Sequence, residues 1–434
     1  MKQADGGKRK QGASRRRFLK ASMAASAAAN TFLARSAYPA GSDVLRVGLI
    51  GCGGRGTGAA AEALQADPNV KLVAMGDTFA DHIESSLSQL KQDSKIADKI
   101  DVPAERRFSG FDNYRHVIDS VDVVLLAEPP HFRPPHLKAA IEAGKHVFAE
   151  KPVAVDGPGV RSVLASCEEA RKKNLSVVSG LCFRYAHSFR EAVQRIHDGA
   201  IGDIVALQAN DFRGPIWVRP RQPAWSDMEY QVRNWYYFTW LSGDFIVEQH
   251  VHYLDICSWA MKGEYPVKAI GTGGRQVRTG TDYGNIFDHH AVIYEYANGA
   301  KLFGVCRQQV GCHNLTSAVI IGTKGTAEIS PTRQVITGSN AWRYSGAQNN
   351  FYQSEHDELF AGIRSGKVIN NGDYMSKTTL LGVLGRIASY TGQVVTWDQV
   401  MNSNEDFSLS KYEWGPFPTP AVAMPGQIDA PQHS

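Results

Sequence analysis

"VGLIGCGGRG", Val47 to Gly56, decides the fold. An apolar run ends in Gly51-x-Gly53-x-x-Gly56, and an Ala-rich stretch to Gln65 reads as a helix. A strand that turns through such glycines into a helix N-terminus is a phosphate cradle. Gly51 permits the tight turn, Gly53 lets the backbone approach a pyrophosphate, and Gly56 lets the helix pack closely. Gly54 and Arg55 lie in the loop just before the helix read from Gly56, whose free N–H groups point at the anion. The next strand, "VKLVAMGD", ends at Asp77, placed to accept hydrogen bonds from ribose 2′- and 3′-hydroxyls. A 2′-phosphate would meet a like charge there, so NAD is expected rather than NADP. Arg55, inside the loop, remains the residue that could pair with phosphate.

The same alternation continues outward. "VDVVLLAEPP", "KHVFAEKP" and "LSVVSGLCF" are strand patterns, with helical stretches such as "HLKAAIEAG" between them. Strands alternating with helices predict a doubly wound parallel sheet over residues 44–182. Beyond it the pattern changes. "SFREAVQRIHDGAIGD" and "GDFIVEQHVHYLDICSWAMKG" each read as one helix. "VKAIGTGG", "HAVIYEYANGAKLFGV" and "AVIIGTKGTAEIS" read as strands and hairpins, one turning at Asn298-Gly299. Residues 183–408 are therefore expected to form an α+β domain with a large open, mostly antiparallel sheet. Its closing helix is expected to pack back on the first domain. Residues 409–434 are expected to be an extended arm.

The 434 residues are 43% hydrophobic and 21% charged, ordinary for a globular chain of two domains. No apolar run reaches the roughly 18 residues of a bilayer span, so no integral membrane anchor is expected. The net charge of +4 misleads. Residues 1–36 hold nine Lys/Arg and one acid; the rest carries 38 basic and 42 acidic residues. Nucleic acid is thus an improbable partner, since its binders carry the basic charge on the folded domain. Within 1–36, "SRRRFLK" precedes a weakly apolar Ala-rich stretch and small residues at Ala34-Arg35-Ser36. That order matches a twin-arginine signal and predicts export to the periplasm. None of the six cysteines forms CxxC, and most read as small hydrophobes.

"AGKHVFAEKP" (Ala143–Pro152), the glycine loop and "GDFIVEQHVHYLD" together resemble the glucose–fructose oxidoreductase/inositol dehydrogenase family, Gfo/Idh/MocA. The resemblance runs from Val44 to about Ser403. It implies a Rossmann domain followed by a domain whose open sheet makes subunit contacts, hence a homo-oligomer. It also implies that Lys151 reaches the substrate hydroxyl near the nicotinamide, with Glu150 positioning it and a cis Lys151–Pro152 bond. The family's Asp-x-x-x-His motif falls on Glu248 and His252; the glutamate is a departure. Four-residue spacing puts both on one helix face. His252 is then the base for a substrate hydroxyl and Glu248 its orienting carboxylate. Glu128, before Pro129 and Pro130, is a second departure, because the family usually has a small hydroxyl residue there. It is expected to bind the nicotinamide ribose or the substrate, or to repel the pyrophosphate. Residues 211–240, rich in Arg, Trp and Tyr, are expected to line the substrate pocket, with Arg184, Arg233 and Asn234 as contacts. His250 and His252 diverge by about 200° on a helix, so no metal site is expected.

An exported dehydrogenase has no soluble nucleotide pool. It must keep its cofactor and close its redox cycle, or release it rarely. The main expectation is an oxidoreductase acting on a sugar or cyclitol hydroxyl with NAD. One alternative is an NAD-dependent glycosidase working through transient oxidation. Another is a non-catalytic sugar-binding or scaffold protein on the same fold.

Overall fold

The computed structural model describes residues 44–427. The export signal expected at residues 1–36 lies outside them, as do residues 428–434. Strands β1 (Leu45–Ile50), β2 (Val70–Asp77), β3 (Arg107–Ser109), β4 (Val123–Leu126), β5 (His146–Ala149) and β6 (Val177–Ser179) form one all-parallel sheet in the order β3-β2-β1-β4-β5-β6. Every residue of β4, and all but Arg46 of β1, is buried, because helices cover both faces. Those helices are α1 (Gly54–Ala66), α2 (Ala80–Gln92), α3 (Asn113–Asp119), α4 (Arg133–Glu142) and α5 (Gly157–Lys172). Ala59, Ala60 and Ala63 of α1 are fully buried; side chains this small let the helix lie close to the sheet. The chain reverses its winding between β1 and β4, where doubly wound sheets open a ligand crevice.

After α6 (His187–His197) comes a nine-stranded sheet. Its strands are β7 (Ile204–Arg213), β8 (Lys268–Gly274), β9 (His289–Glu295), β10 (Lys301–Gln308), β11 (Leu315–Gly322), β12 (Gly325–Ser330), β13 (Arg333–Gly338), β14 (Trp342–Arg343) and β15 (Val395–Thr396), ordered β14-β13-β12-β11-β7-β10-β9-β8-β15. The β7–β10 pair is parallel and the other pairs are antiparallel. Gly299, at φ +86°, closes the hairpin between β9 and β10. In β10, Leu302, Gly304 and Cys306 face the helices while Phe303 faces away. Across the strands Phe303 pairs with Ile293, and Ile293 with Ile270. These three are 41%, 44% and 45% exposed and make an apolar stripe on the sheet's open face.

The remaining helices are α7 (Asp227–Arg233), α8 (Thr239–Ser242), α9 (Phe245–Glu248), α10 (Val251–Ala260), α11 (Phe351–Ser365), α12 (Gly372–Thr391) and α13 (Trp397–Met401). The single helix predicted across Gly243–Gly263 is broken at Gln249–His250. The break frees the Glu248 carbonyl, which accepts from Lys151 Nζ at 2.7 Å instead of from His252 N–H. α11 packs on α1, and its Leu359, Phe360 and Ile363 join the core of the nucleotide domain. α12 packs on both α5 and β8, so it ties the two lobes together.

Candidate active site

The glycine loop has the shape a dinucleotide requires. A Cβ on Gly51, whose φ is +91°, would lie 2.3 Å from Glu128 N, and one on Gly56 would lie 1.9 Å from Gly51 O. Neither position admits a side chain. A Cβ at Gly53 or Gly54 meets nothing within 4 Å, which leaves the N-terminus of α1 open to a pyrophosphate. Asp77 ends β2 beside it. Its carboxylate accepts from Cys52 N–H at 2.7 Å and Phe79 N–H at 2.9 Å, tying the loop to the strand end. His82 Nδ1 lies 3.2 Å from the same carboxylate, which raises the imidazole pKa against the effect of burial.

Arg55 is a correction. Its guanidinium donates to Glu62 at 2.9 Å, to Glu355 at 3.1 Å and to Glu150, so it is held by three carboxylates rather than presented to a phosphate. Glu150 likewise faces Arg55 and the Lys151 N–H, not the cofactor groove. Glu62, Glu355 and His356 lie close enough together to share a cation, but the Arg55 guanidinium already bonds both glutamates.

Lys151 and Glu248 bring the two lobes together. Lys151 Nζ donates to Glu248 Oε1 at 2.8 Å and to the Glu248 carbonyl at 2.7 Å. The Lys151–Pro152 peptide is cis. Glu248 is aimed by Asp244, which caps α9 at φ +72°, a backbone conformation costly for any residue but glycine. The Asp244 carboxylate offsets that cost by accepting from Phe245 N–H at 2.5 Å, Phe287 N–H at 2.9 Å and the Tyr390 hydroxyl at 2.5 Å. Glu248 therefore orients the lysine; the Glu248–His252 pairing expected from the spacing is not made, because the helix breaks between them. His252 is 9% exposed, and its Nδ1 has no partner among the described residues. Burial, then the charges on Lys151 and Arg213, push its imidazole well below the usual value, so the ring is neutral at pH 7. His250 is buried at the helix break itself, and neither of its ring nitrogens has a partner among the described residues.

Asp211 and Arg213 of β7 belong to this cluster and were not singled out in the sequence beyond their segment. Arg213 Nε donates to Asp211 Oδ1 at 2.5 Å, and Asp211 Oδ2 is buried without a partner among the described residues. Burial, only partly countered by Arg213, pushes the Asp211 carboxyl up to about 6. A carboxyl raised on folding binds more protons in the native state, so its charging destabilises the protein as pH rises from about 4 to about 6. Asp211→Asn removes that penalty, which is about 3 kcal/mol at most. Melting curves are expected to show the variant gaining on the wild type between pH 4 and 6, with a constant gap above.

The three expected substrate contacts divide. Arg184 makes a two-pronged ion pair with Asp255 at 2.8 and 2.9 Å and stacks on Tyr374, so it is a structural arginine. Asn234 is fully buried, accepts from Arg219 N–H at 2.9 Å and donates to the Asp282 carbonyl at 2.7 Å. Both readings are corrected: these side chains hold the scaffold. Arg233 does reach the cleft, paired with Asp81 and Glu229 and stacked on Phe79. The cleft of about 600 Å³ runs from the glycine loop to Glu248 and Gln249, walled by Trp217, Arg219, Trp235 and Tyr236. Glu128 and Pro129 line a neighbouring cavity that contains Asp77. Over its outer side runs the arm, where Trp414 packs on Phe79 and Phe111 with ring centroids 5.6 and 4.7 Å apart.

Residues 45–179 match the oxidoreductase family with an NAD-binding Rossmann fold, and residues 189–328 match the GFO/IDH/MocA C-terminal domain. The chain belongs to the Gfo/Idh/MocA oxidoreductase family. It is similar to inositol 2-dehydrogenase of Rhizobium meliloti, 21% identical over 73% of this chain and 86% of that one. It is also similar to the 2,7-anhydro-N-acetylneuraminate hydratase of Escherichia coli, 26% identical over 58% of this chain and 62% of that one. With several other curated relatives the match spans about half of the relative's length. The fold is that of the aldose-aldose oxidoreductase of Caulobacter crescentus, solved with glycerol (TM-score 0.63, 20% identity, 81% of this chain and 99% of that one). It is also that of GenD2 from gentamicin A biosynthesis, solved with NAD (TM-score 0.61, 17% identity, 82% and 97%). As a Gfo/Idh/MocA oxidoreductase the chain has two parts that bear on function: the NAD-binding Rossmann domain and the facing helix pair, α9 with Glu248 and α10 with His252.

Proposed function

We propose that this enzyme oxidises a hydroxyl of a sugar or cyclitol with NAD, Lys151 and His252 acting on one carbinol. The observation that carries the reading is the Lys151–Glu248 clasp between the lobes at 2.8 Å, within electrostatic reach of His252. A lysine ammonium has three N–H donors. Two go to Glu248, and the third is left for a carbinol oxygen. The neutral imidazole of His252 takes the carbinol proton. NAD, when bound, supplies the hydride acceptor. Trp217, Trp235 and Tyr236 offer flat faces for sugar C–H surfaces. The relatives named for inositol and aldose chemistry support this substrate class. In the same reading the protein is exported by the twin-arginine route and retains its nucleotide under the arm. It pairs with a second copy through the apolar stripe of Ile270, Ile293 and Phe303 on the open sheet.

A second reading, net hydrolysis or hydration through transient oxidation, is favoured by the relative named as a hydratase. One experiment separates the two. The purified protein is mixed with candidate sugars and aryl glycosides while absorbance at 340 nm and leaving-group release are followed. Lasting NADH means oxidation. Leaving-group release without net NADH means the second reading. Neither signal, with no nucleotide bound, means a sugar-binding scaffold.

The choice of NAD over NADP rests on Asp77, whose carboxylate repels a 2′-phosphate. Asp77→Ala is expected to narrow the NAD:NADP affinity ratio at least tenfold in titration calorimetry, with both affinities falling because Cys52 and Phe79 lose their acceptor.

A further inference from the structure

We propose that Glu128 reads the amino group of the adenine base, so that the cofactor site selects an adenine dinucleotide over one carrying an oxo-purine. The inference rests on the NAD reading above and deepens it. Glu128 follows β4 at the switch point, is 5% exposed, and shares a cavity with Asp77, Phe79, Phe111, Asn113 and His136. Asp77 marks the ribose. In a dinucleotide the ribose separates the pyrophosphate from the base, so the base lies past Asp77, on the β2–β3 side of the crevice. Lys151 follows β5 on the opposite side, which places the nicotinamide away from this cavity. Phe79 and Phe111 give it aromatic surfaces suited to a flat ring.

The polar atoms of the cavity carry the chemistry. Glu128 Oε1 faces His136 Nδ1 at 3.2 Å. Glu128 Oε2 is buried with no hydrogen-bond partner among the described residues. Asn113 Oδ1 is in the same state, while its amide nitrogen donates to the Gly110 carbonyl at 2.6 Å and so keeps the oxygen an acceptor. Buried polar groups are normally paired, and an orphaned carboxylate oxygen is among the costliest exceptions. Both orphans are acceptors, so the complementary ligand brings donors. The exocyclic amine of adenine has two N–H donors on one atom. A hypoxanthine ring puts a carbonyl oxygen there, lone pair against carboxylate. Sites built around a hydrogen bond reject the analogue that lacks it more strongly than apolar pockets reject a misfit.

The test is calorimetric binding of NAD and of nicotinamide hypoxanthine dinucleotide to the full chain. Wild type is expected to prefer NAD by about 10- to 100-fold. Glu128→Ala is expected to bring the two affinities within about threefold. Glu128→Gln, whose amide can donate to a carbonyl, is expected to do so while keeping side-chain size. Wild type binding both ligands equally overturns the role of Glu128 and leaves the NAD reading standing. Wild type binding neither overturns the NAD reading itself. Should the variants fail to fold, wild type with the 1,N6-etheno derivative of NAD decides, because that derivative lacks the amino donors. A loss matching that of the hypoxanthine dinucleotide supports the assignment, and affinity equal to NAD contradicts it.

Discussion

Lys151→Ala is expected to lower kcat by about a thousandfold, with KM changed far less. A positioned proton-transfer or electrostatic group contributes about 10²- to 10⁴-fold, and this lysine holds the one N–H left for the carbinol oxygen. Truncation also strips Glu248 of its partner. The Glu248 side chain is 11% exposed, so a carboxylate is left nearly buried and unpaired, and the melting temperature should fall with activity. Glu248→Gln separates the two effects. It keeps an acceptor for Lys151 and removes the charge, so it should retain more activity than Lys151→Ala. Lys151→Arg should not rescue, because a planar fork cannot reproduce a compact ammonium bonded to a carbonyl and a carboxylate at once. Steady-state kinetics and thermal melts of the three variants check this. Lys151→Ala at near-wild-type kcat would remove the lysine from the chemistry.

Deleting residues 409–434 is expected to speed release of bound nucleotide by about a hundredfold. The arm is anchored between Tyr412 and Phe417. Gly415 O accepts from Met228 N–H at 3.2 Å, Gln231 donates to the Phe417 carbonyl at 2.7 Å, and the Tyr412 hydroxyl lies 2.7 Å from His131 Nε2. Between these anchors Trp414 covers Phe79 and Phe111, which wall the cavity beside Asp77. Removing one large apolar cover costs about 1.5–3 kcal/mol, equivalent to roughly ten- to a hundredfold in a binding constant. Stopped-flow release of NADH from full-length and truncated protein measures it. Trp414→Ala, which leaves the other anchors, should account for most of the change. Equal release rates would show that the arm does not retain the cofactor, and the proposal that the protein keeps its nucleotide under the arm would fall.

Five of the six parallel strands were legible because each ends on a turn signal; β3 (Arg107–Ser109) was not, since three residues are too few to show a pattern. The glycine loop was legible for a stricter reason: Gly51 and Gly56 sit where any Cβ collides with backbone, so the motif carries its own geometry. The pairing of Glu248 was not legible. Spacing of four implies a shared helix face only if the helix is continuous, and at the break the Glu248 carbonyl takes its donor from a lysine 97 positions away. Arg55 misled for a similar reason. Three carboxylates converge on it from α1, the end of β5 and α11, and no local pattern announces that meeting. Asp211 and Arg213 alternate on a strand and read as ordinary β7 residues until β7 is seen at the centre of the sheet, beneath the helix that carries His252.

The most direct test of the central claim is where the carbinol hydrogen goes. The full chain is incubated with NAD and a panel of aldoses and cyclitols deuterated at each carbinol carbon in turn, and the nicotinamide ring is read by proton NMR. Deuterium at nicotinamide C4 from one carbinol position, lost in Lys151→Ala and His252→Ala, is the predicted result. A substrate that is turned over while none of its carbinol deuterium reaches the nicotinamide would contradict it.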